Sequence, residues 1–260
     1  MAEAGITRAC CAEPATVSRE YTLKGTYAPY AGFDKAYIVG PNDTKRAIIF
    51  TYDIFGFFPT TQQAADILAD RLNAKVVMPD FAHGKPYDST RYLNPPPDAN
   101  VRKEVAEQFF APKYLDDRVA EIKRVAVALK AEGKTFVGAI GLCWGGRLVL
   151  NVGRSPAKEL DAVASNHPAA LNQTDGDNLL VPVALYPSKD DQAELAETIV
   201  KNTKAKPFGA ASDFKHFNNM HHGWSGAHAW LDREDNYAAY AEVYGRLSTF
   251  FDNASRVAAA

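Results

Sequence analysis

The chain is poor in cysteine and has no long apolar run. Cys10, Cys11 and Cys143 are the only cysteines in 260 residues, and the vicinal pair could bridge only with strain. Because a sparse, odd count fits a reducing compartment, we expect a cytoplasmic protein. No stretch approaches the ~18 apolar residues of a membrane span. Residues 1–18 also lack a basic region followed by an apolar stretch, so we predict neither a membrane protein nor a secretory signal.

An excess of charge of one sign is also missing. The formal net charge is −2, so electrostatics does not favour nucleic acid or anionic lipid as a partner. No His, Cys and Asp spacing resembles a metal site, and neither a P-loop nor a dinucleotide-binding glycine pattern occurs. We therefore expect no metal and no cofactor, and a small-molecule substrate as the partner of a monomer or homodimer.

What the chain does contain is an alternation of strand and helix patterns. Hydrophobic residues make up 47% and charged residues 23%, a normal globular balance. Short apolar runs with helical patterns between them predict buried strands at residues 35–39, 46–52, 75–78, 135–140, 162–165 and 181–187. Such an alternation predicts an α/β fold with a mostly parallel sheet and helices on both faces. No break in composition divides the chain, so we predict a tail over residues 1–20 and one domain over residues 21–260.

One long segment interrupts this alternation. Residues 81–100 contain Gly84, Pro86 and three consecutive prolines at 95–97. Proline breaks helices and central strands, so we predict an irregular segment here. Loops of this length inside a compact domain usually bind ligands or cover active sites.

The strongest local signal is Gly-Leu-Cys-Trp-Gly at residues 141–145, between the strand at 135–140 and a predicted helix. This matches the nucleophile elbow, in which the nucleophile lies in a sharp turn that leaves no room for side chains two residues before and after it. The helix N-terminus that follows favours a thiolate. A buried structural cysteine is the competing interpretation, but the flanking glycines favour Cys143 as a nucleophile.

A cysteine nucleophile needs a base, and the elbow's usual chain order places an acid and then a histidine downstream. Asp190 and Asp191 follow the strand at 181–187, where ligand-facing residues gather in open α/β sheets. Four histidines come later in the chain, namely His216, His221, His222 and His228. Chain order alone does not distinguish His222 from its neighbour His221.

Four motifs together resemble the dienelactone hydrolase family of α/β-hydrolases, and its fungal branch most. They are Tyr-Asp-Ile-Phe-Gly at residues 52–56, Met-Pro-Asp-Phe at 78–81, the cysteine elbow extended to 146, and His-Gly-Trp at 222–224. The resemblance runs from about residue 27 to residue 251. It implies an α/β-hydrolase fold and hydrolysis of a lactone or ester.

The resemblance also implies a role for each matching residue. Cys143 would attack the carbonyl carbon, and His222 would transfer the proton. Asp190 or Asp191 would orient His222. The ungapped spacing from Pro182 favours Asp191, whereas the resemblance to fungal relatives favours Asp190.

Further residues are implied to surround the reacting carbonyl. The backbone N–H groups of Trp144 and Ile54 would form the oxyanion hole. Asp53 matches an acidic residue that holds the resting thiol. The rings of Phe55 and Trp224 flank the expected site and are candidates for contact with substrate.

Two more positions bear on the substrate. His167 follows the strand at 162–165 and is a further candidate for substrate contact, although a structural role is the alternative. Bacterial relatives carry an arginine four residues after the catalytic histidine to bind a substrate carboxylate, and this chain has Gly226 there. A doubly anionic dienelactone is therefore not expected as the natural substrate.

Three other functions are compatible with parts of this sequence. Glutamine amidotransferases share the cysteine elbow, but they pair it with a His-x-Glu sequence that neither His221 nor His222 provides. A degenerate hydrolase that only binds a small molecule, and a cysteine-dependent acyl transferase, are the remaining alternatives. The presence of nucleophile, acid and histidine in the expected order favours an active hydrolase.

Overall fold

The computed structural model describes residues 15, 17–93 and 97–259. Eight strands form one sheet: β1 Thr26–Tyr30, β2 Phe33–Val39, β3 Arg46–Thr51, β4 Lys75–Pro79, β5 Phe136–Leu142, β6 Ala162–Asn166, β7 Val183–Tyr186 and β8 Asp213–Phe214. Eight helices accompany them: α1 Pro59–Leu72, α2 Ser89–Leu93, α3 Ala99–Phe109, α4 Pro112–Ala131, α5 Trp144–Val152, α6 Asp175–Asn178, α7 Ala193–Lys204 and α8 Glu234–Ala259.

The sheet has the order β1-β2-β4-β3-β5-β6-β7-β8. The pairs β1 with β2 and β2 with β4 are antiparallel, and all pairs from β4 to β8 are parallel. Every residue of β4, β5, β6 and β7 is buried, which explains why their sequences are continuous apolar or small-residue runs rather than alternating ones. The predicted α/β-hydrolase fold with a mostly parallel sheet is confirmed.

Two pairs of helices cover the sheet. Helix α1 packs against α8, and α4 packs against α5. Helix α1 begins at Pro59, where the missing N–H of proline costs nothing, and ends at Asn73 in the left-handed conformation. In the middle of the sheet, Gly138 of β5 lies under the ring of Phe251 from α8, so the central strands and the last helix share one apolar core.

The prediction of an irregular segment over residues 81–100 was wrong in part. Residues 81–88 have no regular structure, but α2 follows, and α3 begins at Ala99. Asp98 caps α3, since its carboxylate accepts the Val101 N–H at 2.9 Å. Strands β1 and β8 were also missed, because both lie at edges of the sheet and β8 has only two residues.

Residues 15 and 17–20, which the sequence assigns to a tail, pack against the domain. The Ala15 N–H donates to the Ala241 carbonyl at 2.7 Å, and the Tyr237 hydroxyl donates to the Val17 carbonyl at 2.6 Å. Both Ala15 and Val17 are buried. Cys10 and Cys11 lie outside the described residues. In the part of the chain that the structure describes, no helix is long and apolar enough to cross a membrane.

Candidate active site

The candidate site lies at the carboxyl ends of the parallel strands. Cys143 follows β5, His167 follows β6, and Asp191 follows β7. His222 lies in a loop between β8 and α8 that we call the histidine loop, residues 221–230. Parallel strands end at the same edge of the sheet, so residues far apart in the chain meet there.

Cys143 occupies a strained backbone conformation. Its φ and ψ angles are 53° and −116°, which a residue with a side chain rarely adopts and which costs roughly 1–3 kcal/mol. A Cβ atom on Gly141 would lie 2.1 Å from the carbonyl oxygen of Gly145. Glycine at position 141 is therefore a steric requirement of the turn, and the turn presents the thiol at the start of α5.

The loop after β6 fixes the backbone of the elbow. The Cys143 N–H donates to the Asn166 carbonyl at 3.2 Å, and the Cys143 carbonyl accepts from the Ala169 N–H at 3.2 Å. Arg147 of α5 in turn donates to the Ala170 carbonyl at 3.1 Å. The strained residue is thus held by contacts on both of its peptide groups.

The two adjacent aspartates hold His222 at different atoms. Asp191 Oδ1 lies 2.5 Å from His222 Nδ1, and Asp190 Oδ2 accepts the backbone N–H of His222 at 3.0 Å. Asp191 Oδ2 is itself fixed by the N–H of Ser188 at 2.6 Å and by its hydroxyl at 2.7 Å. Asp191 therefore orients the imidazole, whereas the exposed Asp190 braces the backbone.

Interactions with Cys143 and Asp191 favour the protonated form of His222. Burial opposes a positive charge on His222, but the interactions with Cys143 and Asp191 outweigh it and raise the pKa of His222 well above its usual value. Burial would also raise the pKa of Asp191, yet the hydrogen bond and charge of His222 hold that pKa below its usual range. A protonated histidine beside a cysteine is the arrangement that activates cysteine nucleophiles.

The neighbouring His221 is directed elsewhere. Its ring stacks on Trp230 with centroids 3.9 Å apart, and its Nε2 lies 3.1 Å from the carbonyl oxygen of His228. With this nitrogen bonded to the backbone of its own loop, His221 makes no contact with Cys143 among the described residues.

Two backbone N–H groups after the paired strands β3 and β5 have no acceptor. The N–H of Trp144 is in the first turn of α5, directly after Cys143, and the N–H of Ile54 is in the loop after β3; neither donates a hydrogen bond within the described structure. Unpaired backbone N–H groups of this kind are what an oxyanion hole requires. We call residues 53–56, which carry the second donor, the oxyanion loop.

Asp53 contacts both loops of the site. One carboxylate oxygen, Oδ1, accepts the Phe55 N–H at 3.0 Å, and Oδ2 accepts the Ala227 N–H at 3.0 Å. Burial raises the pKa of Asp53 to about 6, although the two backbone donors and the charge of His222 oppose this shift. The structure thus places the carboxylate on backbone N–H groups rather than on the thiol.

His167 lies behind His222. The two rings meet edge to face with centroids 5.0 Å apart, and His167 has no exposed surface. Neither of its ring nitrogens has a hydrogen-bond partner among the described residues, and burial, with the charge of His222, holds its pKa well below the usual value. His167 is thus a neutral residue packed against the base.

The two aromatic candidates, Phe55 and Trp224, are both buried but have different neighbours. Phe55 stacks on His228 with centroids 4.7 Å apart and meets the ring of Tyr92 at 5.5 Å. Trp224 has no exposed surface and packs on Phe217 at 4.4 Å. Trp224 was expected to contact substrate, but its ring lies in the core. The turn at Gly223 precedes it, and its neighbours there are apolar.

Tyr92 of α2 was missed by the sequence reasoning. Its ring meets that of Phe55 with centroids 5.5 Å apart, and burial, followed by an interaction with Cys143, raises the pKa of its phenol. The sequence does show an aromatic residue at this position, within the long segment after Gly84. Because that segment was predicted to be irregular, its sequence did not indicate which side chains face the site. Within the described ranges, no group of three His, Cys, Asp or Glu residues is arranged to hold a metal ion.

Comparison with known proteins shows the family of this chain. Residues 35–255 match the dienelactone hydrolase family. An uncharacterised AIM2 family protein of Schizosaccharomyces pombe is 30% identical over 243 residues, which cover 92% of this chain and 95% of that protein.

Solved structures share the fold at low sequence identity. A dienelactone hydrolase from Anabaena variabilis superposes with a TM-score of 0.57 at 11% identity, covering 89% of this chain and 97% of that one. A dienelactone hydrolase-like promiscuous phosphotriesterase from metagenomic libraries gives 0.53 at 17% identity, covering 86% and 97%.

The fold and the family match define an α/β-hydrolase that acts on ester bonds. Within that class, the chain belongs to the dienelactone hydrolase family.

Proposed function

We propose that this enzyme hydrolyses a neutral lactone or ester of a small organic molecule through an acyl-cysteine intermediate, with Cys143, His222 and Asp191 as the triad. The observation that carries the proposal is the arrangement on the elbow. Cys143 lies at the start of α5, and Nδ1 of His222, whose pKa Cys143 helps to raise, is 2.5 Å from Asp191.

Each step of the reaction uses a group in this arrangement. The thiolate attacks the carbonyl carbon, and the electrons of the C=O bond move to an oxygen that the N–H groups of Trp144 and Ile54 stabilise. When the intermediate collapses, the C–O bond to the leaving group breaks and the His222 imidazolium protonates the leaving oxygen. Water then gives a proton to His222 and attacks the thioester, which releases the acid and restores the thiolate–imidazolium pair.

Arg91, His228 and position 226 are three places where a substrate anion could be bound, and each of them favours a neutral substrate. Arg91 is paired with Glu104 at 3.0 Å, and burial lowers the pKa of His228 to about 4, so this ring is neutral at pH 7. At position 226 a Cβ atom would lie 2.7 Å from Asp53 Oδ2, so no arginine fits there without displacing a carboxylate. Carboxylate substrates are usually held by a guanidinium, and neither Arg91, which is paired, nor position 226 provides one here.

The test uses two matched aryl esters, one with a carboxylate beside the scissile bond and one with its neutral isostere. We expect a higher kcat/KM for the neutral ester, with a ratio that changes little between low and high salt. A preference for the acid that shrinks as salt rises would show that Arg91 or Lys85 binds an anion, and the neutral-substrate proposal would fail. If neither ester nor any lactone releases product while Cys143 still alkylates rapidly, the protein is a binding module or an acyl transferase instead.

A further inference from the structure

We propose that Asp53 is a positioning residue that fastens the oxyanion loop to the histidine loop, rather than a group that holds the resting thiol. The proposal rests on the proposed function, because it concerns the oxyanion hole and the base of the same site. Its basis is the pair of 3.0 Å hydrogen bonds from the Phe55 and Ala227 N–H groups to the two carboxylate oxygens.

The first bond shapes the oxyanion loop itself. An aspartate that accepts the N–H two residues ahead forms an Asx turn, which fixes the peptide planes between them. The Gly56 N–H also donates to the Asp53 carbonyl at 3.3 Å, and the Tyr87 N–H donates to the Ile54 carbonyl at 2.8 Å. The peptide that carries the Ile54 N–H is thereby held in one orientation beside Cys143.

The second bond reaches across 174 residues to the histidine loop. The same peptide group is held from its other side, because the Thr60 hydroxyl donates to the Gly226 carbonyl at 2.7 Å. The Tyr244 hydroxyl donates to the Ser225 carbonyl at 2.6 Å. Since these two anchors do not involve Asp53, loss of its carboxylate should shift the loop without unfolding it.

The surroundings of Gly226 show how close the two loops are. Its Cα faces Asp53 Oδ2 and His167 Nε2, and an added Cβ would lie 2.7 Å and 3.6 Å from these atoms. The carboxylate is almost fully buried and both of its oxygens are occupied by backbone donors. The main partners of the two Asp53 oxygens are therefore backbone N–H groups and not the thiol of Cys143.

Protonation should loosen the connection. The titratable groups that face Asp53 are His222 and His167 on one side and Tyr244 of α8 on the other. When the carboxylate gains a proton, one oxygen becomes a donor that faces an N–H group, so one of the two bonds is lost. Because the pKa of Asp53 is about 6, this loss falls on the acid side of neutrality.

The experiment compares Asp53→Asn with Asp66→Asn. Asp66 is a buried carboxylate of α1 that accepts the Lys24 N–H at 2.9 Å and the Tyr37 hydroxyl at 2.7 Å, away from the site. Asparagine keeps the size of aspartate but accepts at one oxygen only. We expect Asp53→Asn to lower kcat about 10²-fold, as for a small misplacement of catalytic groups, with KM within about twofold, and Asp66→Asn to change neither.

Alkylation of Cys143 by iodoacetamide, followed on its peptide by mass spectrometry, separates the two roles. Alkylation needs the thiolate but no oxyanion hole, so Asp53→Asn should change its rate far less than it changes kcat, the remaining change coming from the lost charge of Asp53 near His222. In wild type, kcat should fall as the pH drops through about 6, and this acid limb should be absent in Asp53→Asn and present in Asp66→Asn. An alkylation rate that falls as much as kcat would assign Asp53 to the thiol and overturn the proposal, as would an unchanged kcat.

Hydrogen exchange provides a measurement that does not depend on turnover. The Phe55 and Ala227 amides should be protected in wild type and lose protection together in Asp53→Ala, which removes both acceptor oxygens. Loss at one amide alone, or at neither, would show that the two loops are not connected. If wild type hydrolyses no ester, the proposed function fails, while alkylation and exchange still decide whether Asp53 connects the loops.

Discussion

Replacement of each of the two adjacent aspartates by asparagine tests the assignment of the triad acid most directly. Asp191 and Asp190 are one residue apart and both hold His222, but one contacts the ring and the other the backbone. The pair therefore forms a matched comparison in which the chemical change is the same and only the contacted atom differs.

The expected magnitudes follow from burial and from the atom contacted. The Asp191 side chain is 3% exposed, and an asparagine there can direct its NH2 group at Nδ1, which leaves the proton on Nε2 and prevents that nitrogen from accepting one. In serine hydrolases this wrong tautomer costs about 10⁴ in kcat. We expect a loss of about 10³ to 10⁴ in kcat/KM for Asp191→Asn, or about 4 to 5.5 kcal/mol.

Asp190→Asn should be mild. Its carboxylate is exposed and accepts one backbone N–H, a bond worth about 0.5–1.5 kcal/mol. A loss of that size lowers kcat/KM by about tenfold at most.

The assay is hydrolysis of p-nitrophenyl acetate across pH, with circular dichroism to check that both variants fold. In Asp191→Asn the alkaline limb should also move to lower pH, because Asp191 contributes to the raised pKa of His222. Equal losses in the two variants, or a larger loss in Asp190→Asn, would refute this assignment of the acid.

Three further outcomes are expected. Cys143→Ala should abolish ester hydrolysis while the circular dichroism spectrum stays that of wild type, and retention of wild-type activity would rule out the elbow cysteine as nucleophile. His222→Ala should lower kcat by at least about 10³ and His221→Ala by little, as measured on the same ester; the reverse ranking would make His221 the base. Gly226→Ala should lower both the melting temperature and kcat, because the new methyl group would lie 2.7 Å from Asp53 Oδ2, and a variant as stable and active as wild type would show that the two loops are not tightly packed.

Asp53 links the two features discussed above, namely the space at position 226 and the contact between the two loops. A carboxylate at Asp53 occupies the space that an anion-binding side chain at position 226 would need. The same carboxylate holds the backbone that carries the Ile54 donor. A change that admits an arginine at position 226 would therefore displace Asp53, and we expect it to alter both the preferred substrate charge and the oxyanion hole that we propose.

The sequence by itself determined the features that depend on near neighbours in the chain. Apolar runs of four to seven residues predicted the central strands, because a strand buried on both faces needs no polar alternation. The glycines two residues before and after Cys143 identified the elbow, because a sharp turn excludes side chains whatever surrounds it. The fold followed from these local constraints and the family from the resemblance of four motifs, and both are confirmed.

Only the tertiary structure decided how neighbouring side chains divide their partners. Asp190 and Asp191 have the same side chain, but they contact different atoms of His222, which is 31 residues from Asp191. The His222 ring meets Asp191, and its backbone N–H meets Asp190. Asp53 likewise meets the Ala227 N–H from 174 residues away, and Trp224 turns into the core beside Phe217. Such choices depend on distances between loops, which the packing of the whole sheet and its helices sets and which no local pattern of residues encodes.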